Sequence, residues 1–416
     1  MRVQRCKGTR DLSPEEMGRF RLIEGVFRDC CLKWGYQEVR TPTLEYLHLF
    51  TSTGTLTPSR LGRVYSFLDW DGWSGERVVL RPDGTIPIAR LYIDTMEDRE
   101  LAKLFYVTNV FSFEETGKES REMWQCGAEL IGAGSVMADV ELVILALEVV
   151  KRLGLEGVEL RLSHADLIRA LLSKFRLDPG EQARMFDQIL DGDPSVLSRV
   201  KAEQPVLAKA LTTLIDLKGR SSGFLKNVKA LFDHDLPELV SPLNNFITVV
   251  ELLESLDISC YIDITSVRGF EYYTGLIFQL FSGEDNIGRG GRYDALIPLM
   301  GGRDIPASGF ALYLEPLMNM VKAQALSGSP VPGVLIRAGT AEGIFQEALG
   351  IASRLHEAGF AAEIYLGGRE PPDLRWTLDI QDKAPRLEMV DRLTGEGYHL
   401  DNTDQVIMQL GPGSAP

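Results

Sequence analysis

Three short segments gather side chains of the types that hold an amino acid: Leu80-Arg81-Pro82-Asp83-Gly84-Thr85, Gln125-Cys126-Gly127-Ala128-Glu129, and Val267-Arg268-Gly269-Phe270-Glu271-Tyr272-Tyr273-Thr274-Gly275. An α-carboxylate calls for a planar cationic fork, which Arg268 offers. An α-ammonium calls for acceptors, which Asp83, Thr85 and Gln125 offer. The ring N–H of an imidazole calls for a carboxylate or a phenol, and Glu129, Tyr273 and the adjacent Tyr272 supply those types. Taken one at a time, each segment is more simply a strand end facing solvent. Taken together, they can build a pocket that rejects a wrong ligand because its own polar groups are then left unpaired.

Other chemistries are excluded by spacing and charge. The five cysteines (Cys6, Cys30, Cys31, Cys126, Cys260) include no C-x-x-C pair and are odd in number, so reduced thiols are expected rather than a disulfide framework or zinc ribbon. The five histidines are scattered, and no metal or other cofactor is expected. The glycine-rich Ile287–Asp294 segment lacks the pattern of a phosphate-cradling loop and reads as a turn. A net charge of −15 opposes broad nucleic-acid binding. No apolar run reaches the roughly 18 residues of a membrane helix, and the start carries no signal-like stretch, so the expected location is cytoplasmic.

Bringing the three segments together requires a sheet with helices around it. Residues 15–34 have helical periodicity behind an N-cap of Ser13 followed by Pro14, and Gly35 ends the helix. Residues 36–45 alternate as a strand. Strands are expected at 64–69 and 76–81, a helix at 85–97, an antiparallel pair at 104–115 and 122–132, a helix at 139–153 and a strand at 157–163. Residues 1–163 thus read as the first part of a core, 164–256 as a helical insertion, and 257–325 as the second part, with strands at 258–265 and 271–281 and a helix from 309 to about 325. Residues 326–333 read as a linker rich in Gly, Ser and Pro. Residues 334–416 read as a small α/β domain opening on a β-α-β unit, with a last strand at 405–410.

The motifs K-G-T-R-D-L-S-P-E-E at 7–16, G-Y-Q-E-V-R-T-P-T-L-E at 35–45, R-P-D-G-T at 81–85, V-R-G-F-E-Y-Y-T-G at 267–275, and G-G-R-Y-D-A-L-I, G-G-R and P-A-S-G-F-A between 290 and 311 resemble, in order, those of the histidyl-tRNA synthetase family. The resemblance implies an α+β fold of the class II aminoacyl-tRNA synthetase type: a six-stranded antiparallel sheet flanked by helices, a homodimer through the segment around Pro42, and a histidine pocket made by Asp83, Thr85, Gln125, Glu129, Arg268, Tyr272 and Tyr273. Residues 334–416 resemble a degenerate anticodon-binding domain, and a working tRNA grip is not expected.

The departures from that family bear on function. Ser112 stands where the synthetases carry the arginine that meets the α-phosphate of ATP, and Glu115 stands where they carry a second arginine. Near the end of the core, Tyr313 replaces a glycine and Pro316 an arginine. Arg121 matches a family arginine, but with Lys118 it reads as a solvated loop charge. Charge-assisted contacts at a reacting phosphorus contribute several kcal/mol each, so their loss removes many powers of ten in rate. The pattern resembles the regulatory subunits of ATP phosphoribosyltransferase, a paralogous family. That resemblance implies a non-catalytic protein that partners a short catalytic subunit in the first step of histidine biosynthesis, takes L-histidine as inhibitory effector, and forms a hetero-octamer. The alternative is a histidine–tRNA ligase with divergent motifs.

Overall fold

The computed structural model describes residues 4–54, 56, 61–70, 75–113, 120–174, 181, 185, 188, 205–216, 218–232, 234–264, 272–321, 333–339, 342–371, 374–381 and 386–411. The chain divides into two compact units, Met1–Leu326 and Ser327–Pro416.

The first unit opens on helix α1 (Pro14–Lys33), closed at its start by a capping box in which Ser13 and Glu16 each satisfy the other's backbone N–H. Gly35, at φ +79°, turns the chain away after it. Strand β1 (Gln37–Glu38) follows, then β2 (Leu44–Tyr46), helix α2 (Leu47–Ser52), β3 (Ser66–Trp70), β4 (Gly75–Leu80) and helix α3 (Thr85–Thr95). The long hairpin strands β5 (Ala102–Phe111) and β6 (Glu122–Ile131) lead to helix α4 (Val136–Arg152), β7 (Val158–His164) and helix α5 (Ala165–Leu172). Helices at Pro205–Ile215, Ser222–Phe232 and Val240–Ser255 come next, with β8 (Lys218–Gly219) among them. Then come β9 (Cys260–Asp263), β10 (Leu276–Ser282), β11 (Asp285–Arg292), β12 (Ala307–Tyr313) and the helix Leu314–Met320.

Nine strands form the main sheet in the order β1-β5-β6-β12-β11-β10-β7-β9-β8. The six from β5 to β7 are antiparallel throughout, while β1 and β9 add to the two ends of this run in parallel. Because side chains alternate across a strand, register divides the sheet into two faces. One row runs Phe105, Ala128, Phe310, Gly290, Phe278, Leu162 across neighbouring strands. This face packs on α1, with Phe27 edge-on to Phe105 at 5.9 Å and to Phe310 at 6.3 Å. The buried apolar side chains of α4, α5 and the helices up to Ser255 belong to the same core. The opposite face carries the row Tyr106, Gly127, Ala311, Arg289, Gln279, Arg161.

Several expectations are corrected. Residues 36–45 are not one strand: β1 joins the main sheet, whereas β2 pairs with β4 in a separate three-stranded sheet. The Ile287–Asp294 segment is not a turn but most of β11. Its glycines supply room rather than reversal, since a Cβ on Gly290 would press on Phe310 and Phe278, and one on Gly291 on the ring of Tyr273. Residues 309–313 are strand, not the start of a helix. The helix begins at Leu314, which leaves Pro316 in its first turn, where a missing N–H costs nothing.

The second unit holds β13 (Gly333–Ala338), the helix Glu342–Glu357, β14 (Ala361–Ile364), β15 (Trp376–Ile380), β16 (Leu387–Asp391), β17 (Gly397–Leu400) and the helix Thr403–Leu410. Its sheet runs β14-β13-β15-β16-β17, parallel around β13 and antiparallel beyond β15. The expected strand at 405–410 is helix: Asn402 caps it by accepting from the Gln405 N–H at 3.0 Å, and Val406 is its buried anchor. The expected linker lies outside the described residues except for Gly333.

Candidate functional site

The site lies on the glycine-rich face of the main sheet, and its deepest group is Glu129. Residue parity on β6 puts Gln125, Gly127 and Glu129 on this face. Glu129 is almost fully buried. Its Oε1 accepts from the Thr85 hydroxyl at 2.8 Å and the Tyr106 hydroxyl at 3.1 Å, and its Oε2 accepts from the Tyr293 hydroxyl. Burial drives the Glu129 carboxyl up to about 8, although all three hydroxyls act to lower it. Two glycines make the arrangement possible. A Cβ on Gly127 would fall within the ring of Tyr106, and one on Gly309 would fall on the Glu129 carboxylate.

Asp83 and Thr85 come to the site on the turn that starts α3. Arg81, buried before that turn, does not face the pocket. Its guanidinium donates to the backbone oxygens of Thr41 (3.0 Å), Pro42 (2.9 Å) and Asn109 (2.7 Å) and to Asn109 Oδ1 (2.7 Å). It thereby fixes the turn against β5 and the Pro42 segment. The Asp83 carboxylate accepts from the Ile86 N–H at 2.9 Å, with the Tyr272 hydroxyl 3.5 Å from its other oxygen. Burial raises its proton affinity, opposed by the Ile86 N–H and by Arg289.

Tyr272 and Tyr273 form the wall before β10. Their rings lie 4.9 Å apart, and Tyr272 meets Tyr293 edge-on at 5.8 Å. Tyr273 is buried over Gly291. Gln125 is buried between Thr108 of β5 and Tyr313 of β12 in register. Of the seven residues named from sequence for a histidine pocket, the fold therefore brings Asp83, Thr85, Gln125, Glu129, Tyr272 and Tyr273 to one face. Arg268 lies outside the described residues, as do Glu115 and Lys118.

Three of the positions expected to have lost ATP contacts, Ser112, Tyr313 and Pro316, are among the described residues. Ser112 directly follows β5, its N–H donating to the Arg121 carbonyl at 3.1 Å. Tyr313 projects its ring onto the site face, with the Arg289 guanidinium 5.8 Å from its centroid. Pro316 sits in the following helix, next to Glu315, whose carboxylate accepts from the Trp124 N–H at 3.1 Å. Arg121 is corrected from a solvated charge to a packed one. It stacks on Phe113 at 4.7 Å and passes over Gly8, where any side chain would collide with it.

Three site residues escaped the sequence reading: Tyr106, Tyr293 and Arg289. Arg289 and Arg292 stand three apart on β11 and so face opposite ways. Arg292 enters the core side and grips Asp139 of α4 at 2.6 Å. Arg289 faces the site. Burial acts against its cation, but the phenols of Tyr313, Tyr273 and Tyr272 together with Asp83 outweigh that and hold its proton more tightly than usual. The parity of β11 would have revealed it, had the segment been read as a strand. Among the described residues no group of His, Cys, Asp and Glu side chains is arranged to hold a metal, and no helix is long and apolar enough to cross a membrane.

Comparison with known proteins places this geometry. Residues 8–317 match the histidyl-tRNA synthetase family. The chain is 50% identical over 409 residues, 98% of each chain, to an ATP phosphoribosyltransferase regulatory subunit from Dehalococcoides mccartyi. It is 33% identical over 406 residues to a histidine–tRNA ligase from Pyrococcus furiosus, covering 92% of this chain and 89% of that one. A crystal structure described as an ATP phosphoribosyltransferase regulatory subunit/histidyl-tRNA synthetase from Bacillus halodurans superposes with a TM-score of 0.73 at 26% identity, covering 90% of this chain and 95% of that one. With the class II fold, the buried hydrogen-bonded cluster around Glu129 and these matches in hand, the chain belongs to the histidyl-tRNA synthetase family, within its branch of ATP phosphoribosyltransferase regulatory subunits.

Proposed function

We propose that this chain is a non-catalytic regulatory subunit that associates with a short ATP phosphoribosyltransferase catalytic subunit in the first step of histidine biosynthesis, is required for its activity, and takes L-histidine as inhibitory effector. The observation that carries the reading is the contrast within one sheet face. Acceptors suited to an ammonium and an imidazole (Asp83, Thr85, Gln125, Glu129) converge at one end. At the other, Ser112 and Pro316 offer no cation to a phosphate, and Tyr313 covers the floor with a ring. Asp83, Thr85 and Gln125 would receive the α-ammonium, and Glu129 with Tyr272 and Tyr273 the imidazole. Arg268 would receive the carboxylate. For histidine to inhibit, it must bind the low-activity state of the assembly more tightly than the active one.

The test is ATP–pyrophosphate exchange with histidine present, run on the purified chain alone and after mixing with a short phosphoribosyltransferase. The expected result is no exchange by the chain, and phosphoribosyltransferase activity that appears only on mixing and falls as histidine is added. Exchange by the chain alone would overturn the proposal in favour of a histidine–tRNA ligase.

A further inference from the structure

We propose that Arg81 is a positioning residue, through which the segment between β1 and β2 controls the ammonium end of the amino-acid site. The proposal rests on the reading of that site as one for histidine, and it deepens the reading by adding a residue that touches no ligand. Residues 41–43 belong to no strand, so their carbonyls have no ladder to join and must find other donors. All three find Arg81. Its guanidinium Nη1 donates to the Thr41 and Pro42 oxygens, and its backbone N–H donates to the Thr43 oxygen at 3.0 Å. Nε and Nη2 turn the other way, to the carbonyl oxygen and Oδ1 of Asn109. Asn109 in turn donates to Glu122 of β6 at 2.7 Å, and the Arg81 carbonyl accepts from the Phe111 N–H at 3.0 Å. Every nitrogen of a guanidinium in a residue only 4% exposed is thus used by the fold. A lysine ammonium, a point charge without a planar fork, could not span the same acceptors.

Only Pro82 separates this clamp from Asp83. The proline ring fixes its own φ and keeps Arg81 out of the helical region, so a shift of Arg81 is passed on rather than absorbed. Beyond it, Asp83 accepts from the Ile86 N–H at 2.9 Å, and the Thr85 hydroxyl donates to Glu129 at 2.8 Å. Asp83 and Thr85 are two of the acceptors assigned to the ammonium. At the other end of the connection Arg40, Pro42 and Thr43 are exposed, whereas Arg81 and Glu129 are buried. One side chain and one stiff residue therefore join an exposed segment to a buried cluster. A change at the segment displaces Asp83, and by reciprocity a ligand that engages Asp83 steadies the segment.

Calorimetry on the full chain tests this with two probes, L-histidine and imidazolepropionate, which keeps the ring and the carboxylate but has a hydrogen in place of the ammonium. Charge-assisted hydrogen bonds to the ammonium predict that the wild type prefers histidine on the order of 10- to 100-fold. Arg81→Met should bring that preference to within about threefold, and Arg81→Lys should leave it intermediate. Should Arg81→Met not fold, Asn109→Ala removes the acceptor of Nη2 and should lower the preference by a smaller factor. Pro42→Gly loosens the segment without touching the site. It should weaken histidine binding on the order of 3- to 10-fold in the wild type, less in Arg81→Lys and not at all in Arg81→Met, because the connection is already cut. An arginine that merely holds the fold together gives additive losses and weakens both probes alike. Either result, or a wild-type preference kept by the folded Arg81 and Asn109 variants, overturns the proposal while the histidine site stands. A wild type that binds no histidine overturns the underlying reading, and the proposal with it.

Discussion

Strand β11 carries two arginines three residues apart, and the two faces of the sheet use them differently. On the core face Arg292 is held by a fixed set of partners: both oxygens of Asp139 at 2.6 and 3.2 Å, the Ala133 and Ser135 carbonyls, and Asp294. Both ends of that pair are buried. On the site face Arg289 lies among the phenols of Tyr313, Tyr273 and Tyr272, close enough to Asp83 to feel its charge. The same side chain on the same strand ties α4 to the sheet on one side and stands among the phenols of the site face on the other. The lesson is that burial of a cation does not tell its role. What decides is whether its partners come from the fold or leave room for a ligand.

The sharpest way to break this comparison is to remove each arginine in turn. Arg292→Met leaves Asp139 buried and uncompensated and should cost about 3–5 kcal/mol of unfolding free energy in urea melts, with much of it recovered by adding Asp139→Leu. Arg289→Met should cost less than half as much. Equal losses from the two substitutions would mean that both arginines are structural clamps and that the faces do not differ as described.

The next effect tests the glycine floor. Gly127→Ala places a methyl group where the Tyr106 ring lies, and that ring is confined on its other side by Gly84, where an added Cβ would also collide. Tyr106 must leave Glu129, and overpacking of this kind costs about 1–3 kcal/mol. Histidine affinity should fall with it. The companion Gly127→Ala/Tyr106→Leu double variant should recover part of the stability but not affinity, because it removes the ring that the new methyl group meets without restoring the bond to Glu129. Recovery of both would show that the Tyr106 hydroxyl does not serve the site.

Protonation gives a third, smaller effect. The Glu129 carboxyl is raised from 4.5 to about 8, so between those values the folded state binds more protons than the unfolded state, and stability falls as pH rises through that window. Asp139, raised to about 6 chiefly by burial, acts in the same direction but only below that pH. His164, lowered to about 4 by burial, acts the opposite way, adding stability as pH rises to 6.5. Of these three groups only Glu129 titrates between about 6.5 and 8, where it contributes at most about 1.4 kcal/mol per pH unit. Chemical melts of the wild type across that interval should decline, and Glu129→Gln should flatten the decline. An unchanged slope in the variant would assign the dependence to another group.

How much of this was legible beforehand varies with the distance over which the information acts. The capping box at Ser13 and Glu16 and the hairpin of β5 and β6 are local patterns, and they were readable. The acceptors Asp83, Thr85 and Glu129 were readable as types, and the fold brings them together. Arg289 and Tyr293 were not, because the glycines around them suggested a turn. Gly290 and Gly291 are small on account of Phe310 and Phe278 on neighbouring strands and Tyr273 just before β10, and such neighbours leave no mark within the segment itself. Tyr106 was hidden for a related reason. Residues 102–111 are largely buried on both faces, so alternation does not distinguish the side that holds the site. The helix Thr403–Leu410 was misread because six apolar and polar residues fit either period until the Asn402 cap is weighed.

The smallest expected effect comes from putting one lost group back. Ser112→Arg places a cation just after β5, where Ser112 is half-exposed, so stability should change by no more than about 0.5 kcal/mol. A single charge-assisted contact at a developing phosphorane contributes a few kcal/mol to a transition state, yet exchange activity should stay at background. The reason expected lies on β12 and beyond it. Tyr313 projects a ring onto this face beside Arg289, and Pro316, in the first turn of the next helix, has no donor to aim at a phosphate. On the proposed reading, one arginine therefore acts on a site that still does not seat a nucleotide. Measurable ATP–pyrophosphate exchange in Ser112→Arg would mean that the nucleotide half is nearly complete, and the contrast between the two ends of the face would lose its functional meaning.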